Sequence, residues 1–122
     1  MPNADKITIY TGDTLKVQYE SLQADTIDAN SYGFTKSPAL PDSARAQVWD
    51  VTRQEFLPIG GLDVDDEPID FDEADVDENI ITYLLSGDFT EDEGSYKIFI
   101  TAFYPDGQEV TEMRAFKIAP RS

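Results

Sequence analysis

Residues 15 to 20 read Leu-Lys-Val-Gln-Tyr-Glu, apolar and polar in strict alternation. A period of two marks a strand with one face buried and the other in water. The same period runs through Ile7-Thr8-Ile9-Tyr10, and Gly12-Asp13-Thr14 between the two segments supplies residues that tight turns favour. The chain is therefore expected to open with a strand, an abrupt change of direction and a second strand.

Further along, Ala44, Ala46 and Val48 fall on one side of a segment whose other side carries Arg45, Gln47, Trp49 and Val51. Its β-branched and aromatic content predicts a strand. The stretch `EFLPIGGL` is expected to pair beside it, with Pro58 confining that segment to an edge. Ile81, Tyr83 and Leu85 alternate in the next strand. The last third is the most regular, with Tyr96, Ile98, Ile100 and Ala102 against Lys97, Phe99, Thr101 and Phe103. Both faces of that strand are largely apolar, which predicts a central strand covered on both sides. Asp106-Gly107 then signals a hairpin into a final strand, `EVTEMRAFKIA`. Residues 23–43, with their Gly, Pro, Asn and Ser, read as a long connection with room for a short strand around `SYGFT`. Apolar residues nowhere recur at helical spacing over three turns. The pattern is that of an all-β antiparallel sandwich.

A chain of 122 residues, 40% apolar, is expected to form a single domain over residues 1–122. Charge changes the picture more. The net charge is −16, and ten of the twenty-five acids lie in residues 63 to 78. Like charges at that density predict a solvated loop over about 63–79, tethered through Ile69 and Phe71. The overall field disfavours nucleic acid and anionic membrane as partners. No apolar run approaches the roughly 18 residues of a membrane span, and `MPNADKITIY` lacks the regions of a secretory signal. Sixteen Asp against nine Glu, with only five Lys, resemble the composition of proteins from salt-loving organisms.

Histidine and cysteine are both absent, which removes Ser-His and Cys-His nucleophiles and the usual transition-metal ligands. Carboxylate pairs are too abundant here to signify catalysis, so a non-enzymatic protein is expected. Asp63, Asp65, Asp70 and Asp72 offer hard oxygen ligands that Ca²⁺ would accept, although no EF-hand spacing is present. A solvated loop is the plainer expectation for them, with no cofactor. Trp49, Phe99, Phe103 and Tyr104 are the rings to watch. Core positions are expected for them, and any that the fold leaves uncovered would form a partner interface.

The order of motifs carries a resemblance. `ITIYTGDTLKVQY`, the middle strand `ARAQVWDV`, and `GDFTEDEGSYKIFITAFYPDGQEVTEMRAFKI` together are similar to the immunoglobulin-like N-terminal domain of phage upper baseplate proteins and related small head, neck and tail proteins. The matching positions are Gly12-Asp13-Thr14, Gly94-Ser95-Tyr96 and Asp106-Gly107. Residues 23–43 and the acidic segment depart from the family pattern, and upper baseplate proteins continue into further domains. The resemblance implies a stand-alone virion structural protein of a tailed virus, located in the virion and docking on other virion proteins in a homo-oligomeric ring or lattice. A different reading is a carbohydrate- or surface-binding sandwich, with Trp49 or Tyr104 as stacking platform and Ca²⁺ at the acidic loop.

Overall fold

The structure, a computed structural model, describes residues 7–20, 24–28 and 35–121. Strand β1 (Ile7–Tyr10) runs parallel to the last strand, β10 (Glu109–Ala119), with Ile7 opposite Phe116 and Ile9 opposite Ile118. Next to β10 lies β9 (Gly94–Phe103), and beyond it β5 (Ser43–Asp50), each pairing antiparallel. The short β6 (Glu55–Phe56) extends the far end of β5, Trp49 facing Phe56. On the other layer β2 (Leu15–Glu20) pairs with β8 (Ile80–Leu85).

One strand joins the layers. β7 (Asp72–Asp77) pairs through residues 72–74 with β5 and through residues 75–77 with β8. It therefore leaves one sheet for the other along its own length, as corner strands of sandwiches do. The strand path is β1-β10-β9-β5-β7-β8-β2, folded over at β7. The core lies between the layers. It is made of Leu15, Val17 and Tyr19 with Ile81, Tyr83 and Leu85 from one side, and Ala46, Val48, Ile98, Ile100, Phe116 and Ile118 from the other. The fold is an immunoglobulin-like antiparallel β-sandwich.

Two expectations are corrected. The acidic stretch is a loop only as far as residue 71, because Asp72–Asp77 is a strand. Ala74 and Val76 point inward and pack on the core, while Glu73, Asp75 and Asp77 point to water. Charge density does not prevent a strand when every second residue keeps its charge solvated. The connection after β2 also contains structure, since β3 (Ala24–Asp28) and β4 (Thr35–Ala39) pair antiparallel as a separate hairpin. Most of the stretch `SYGFT` lies outside the described residues. Among the described residues there is no α-helix, only a 3-10 turn at Gly87–Phe89.

The opening Gly-Asp-Thr turn has a clear task here. It carries the chain from β1 in one layer to β2 in the other. The amide of Asp13 donates to the Tyr10 carbonyl at 2.9 Å, closing a four-residue turn, and Gly12 takes φ +85° at its third position. Only a residue without Cβ adopts that conformation cheaply. Thr90, fully buried, donates its hydroxyl to the Asp13 carbonyl at 2.6 Å, and its own carbonyl accepts from the Gly12 amide at 3.0 Å. Arg121 closes the outside, its guanidinium bonded to the Asp13 carboxylate and to the Thr11 carbonyl. In the adjoining turn after Thr90, Tyr96 donates its hydroxyl to the Asp92 carbonyl at 2.8 Å, fixing the entry into β9. This is the tyrosine corner of immunoglobulin-like sandwiches.

Candidate docking face

The period of two along β5, β9 and β10 sends alternate residues to the core and to the outside. The outward set includes Arg45, Gln47 and Trp49 from β5, then Phe99 and Phe103 from β9, and Met113 from β10. Register brings them together, since Gln47 and Met113 both lie opposite Phe99, while Trp49 lies opposite both Lys97 and Phe56. The outer face of β9 is thus partly open among the described residues, with Lys97 exposed and Thr101 buried at 6% exposure, where both faces were expected to be covered. Phe99 and Phe103 are half-buried, and Met113 is 48% exposed.

Trp49 is half-buried on this same face rather than in the core. Its ring meets Phe56 edge-on at 4.8 Å between centroids. Arg45 occupies the middle of the face. Its guanidinium lies 5.4 Å from the centroid of Phe71 and 5.3 Å from that of Phe103. Its Nε is buried with no hydrogen-bond partner, so two aromatic π faces carry the interaction of this cation among the described residues. Phe71, at the end of the acidic loop, is thereby tied to the sheet. Tyr104 behaves differently. It continues the inward series Ile98, Ile100, Ala102 and sits in the core at 4% exposure. Of the four rings singled out from sequence, Trp49, Phe99 and Phe103 share one outer face and Tyr104 is withdrawn from it, which also removes Tyr104 as a stacking platform. Sequence reasoning put Arg45 on one face with Trp49 but missed Phe56 and Met113 as members of it. Their signal was positional, because each is opposite or beside one of the other three once register is known.

The four aspartates considered for Ca²⁺ are used in separate ways. Asp63 folds its own loop, its Oδ1 accepting from the amides of Asp65 at 2.8 Å and Glu67 at 3.0 Å. Asp72 accepts from the Tyr83 hydroxyl at 3.0 Å and from the Glu73 amide at 2.9 Å. Asp70 lines a cleft beside Phe56, and Asp65 is exposed. Among the described residues no group of three or more carboxylates is arranged to hold a metal ion.

The core tyrosines give the sandwich an alkaline limit. Burial, reinforced by the charge of Glu112, pushes Tyr19 up from 10.0 to about 12, and its hydroxyl has no hydrogen-bond partner. Burial also raises Tyr83, helped by its bond to Asp72, and raises Tyr96 near Asp50 and Asp92. Below pH 10 these groups are neutral in both folded and unfolded chains, so their contribution is fully present. Between about pH 10 and 12 the unfolded chain ionises first and binds fewer protons, so stability falls as pH rises. Urea unfolding across this range is expected to show that decline, with three tyrosines ionising only as the protein unfolds. Ionisation of every tyrosine near pH 10 in the intact fold would contradict it.

No protein-family model matches the chain. No curated protein matches it. Among solved structures, CopC from Methylosinus trichosporium OB3b is similar over 98% of this chain and 88% of its own, at TM-score 0.49 and 13% identity. A likeness at that level carries no argument about what this chain does.

Proposed function

We propose that this is a non-enzymatic structural protein that works by docking the outer face of its β5–β9–β10 sheet onto other proteins. The observation that carries the reading is the set of half-buried Trp49, Phe99 and Phe103 with exposed Phe56, Phe71 and Met113 around Arg45 on one sheet face. Aromatic residues, Met and Arg are the side chains enriched at the centres of protein interfaces. The motif order that resembles small head, neck and tail proteins supports a virion of a tailed virus as the place of work, and the acid excess supports a salt-loving host. In such a particle the face would be repeated around a closed ring or lattice.

The test is to count the chain in purified virus particles against the major capsid protein by quantitative mass spectrometry. Six or twelve copies, or a small multiple, are expected for a ring and hundreds for a surface layer. Complete absence would overturn the virion reading. A Phe99→Asp variant is expected to lose about tenfold or more in incorporation, the scale of one interface anchor. Its isolated fold should hold, because that side chain already borders water. Incorporation at the wild-type level would remove this face from the interface.

A further inference from the structure

The two outer faces of the sandwich differ in the sign of their charge. On the docking face, the outward positions of β5, β9 and β10 hold Arg45, Lys97 and Lys117 against Glu109 alone. Glu73 of β7 adjoins this set opposite Arg45, without an ion pair to it. Three of the chain's nine bases thus stand on one face, although acids number twenty-five.

The face on the other layer is built the opposite way. Lys16, Gln18 and Glu20 of β2 point outward beside Ile80, Thr82 and Leu84 of β8. Asp75 and Asp77 extend these rows from β7, so that Asp75 lies opposite Thr82, and Asp77 and Glu20 flank Ile80. Three acids here face water with one base. Leu84 is 57% exposed and Ile80 half-buried, which gives the acidic face an apolar centre of its own.

We propose that the docking face of one copy is covered by the acidic face of a second copy. The inference rests on the docking role above and names the partner. Charge selects the geometry. Two docking faces in contact would oppose cation to cation, and two acidic faces carboxylate to carboxylate. Docking face on acidic face pairs opposite signs and buries Leu84 and Ile80 against Phe99, Met113 and Trp49. The Arg45 guanidinium, which bonds no acceptor among the described residues, gains a carboxylate of the neighbour. Such a contact is heterologous, so it continues from copy to copy until a ring closes. The net charge of −16 opposes approach at low salt. In molar salt the screening length falls to about 3 Å, which removes that repulsion and leaves groups in direct contact interacting.

The test is sedimentation velocity of the purified chain in molar KCl over a range of concentrations. The wild type is expected to form species larger than a dimer. Phe99→Asp disables the docking face and Leu84→Asp the acidic face, and each variant alone is expected to stay monomeric. Their equimolar mixture should stop at a dimer, because it holds one intact face of each kind. Lys97→Glu/Lys117→Glu is expected to associate about tenfold more weakly than the wild type. Every altered side chain already borders water, so these variants should melt as the wild type does. Met113→Asp, at a residue 48% exposed, takes the place of Phe99→Asp if that variant melts lower. Dimers of Leu84→Asp alone would overturn the proposal in favour of a symmetric contact between docking faces. A wild type that stays monomeric would also overturn it, as would undiminished association of the lysine variant. The docking reading fails separately, through wild-type incorporation of Phe99→Asp into particles. A monomeric chain whose Phe99→Asp variant is lost from particles docks on a different protein.

Discussion

Phe116→Ala is expected to lower the stability of the sandwich by about 3–5 kcal/mol, the range for removing a buried phenylalanine. The side chain is 1% exposed and lies against Tyr96, ring centroids 5.3 Å apart and planes 15° apart. It also sits opposite Ile7 of β1, at the start of the only pairing that holds β1 to its sheet among the described residues. Truncation leaves a cavity between the tyrosine corner and β1, and neither neighbour can close it without giving up hydrogen bonds. A domain of this size has roughly 5–15 kcal/mol in all, so the variant should be close to unfolding at moderate urea. A loss under about 1.5 kcal/mol would mean that the layers can collapse onto the gap.

Gly60→Ala is the second large effect, at about 3 kcal/mol, the upper end of typical overpacking costs. A Cβ at position 60 would lie 2.0 Å from the Phe71 carbonyl oxygen and 2.7 Å from Ile69 Cγ2. Because the nearer atom is backbone, the strips 60–62 and 67–71 must separate. Phe71 would then lose its place beneath Arg45, and the cleft its shape. Gly61→Ala provides the control. Gly61 has φ +82° with open space where a Cβ would go, so its cost is conformational, about 1 kcal/mol. Equal losses for the two variants in chemical denaturation would remove steric contact as the cause.

These two positions also show how much the sequence discloses. Phe116 belongs to an alternating strand after an Asp-Gly hairpin, but Glu112 and Arg114 share its parity, so its inward direction needs the register with Tyr96 as well as the period. The same period places Tyr104 in the core, as the continuation of Ile98, Ile100 and Ala102, although its position among other rings made it look like a surface candidate. Gly60 is different. Nothing local to `PIGGL` distinguishes the first glycine, which meets a backbone from eleven residues away, from the second, which takes a left-handed turn. The acidic segment was misjudged because its charge outweighed the Ala74–Val76 alternation within it. The hairpin of β3 and β4 was hidden by short strands among turn-forming residues, one of them interrupted by Pro38. Alternation predicted that Phe99 and Phe103 share a face, but whether another layer covers that face is a question of topology. Periodicity has no access to it.

The parallel pairing of β1 with β10 has a mechanical consequence. Tension drawing the start of β1 and the end of β10 apart would act along both strands in opposite directions. The hydrogen bonds between Ile7–Tyr10 and Phe116–Ala119 would then be loaded together in shear instead of opening one after another. Arg121, bonded to Thr11 and Asp13, lies in the same line of load. The sandwich therefore resists extension most strongly along the axis that joins the start of β1 to the end of β10.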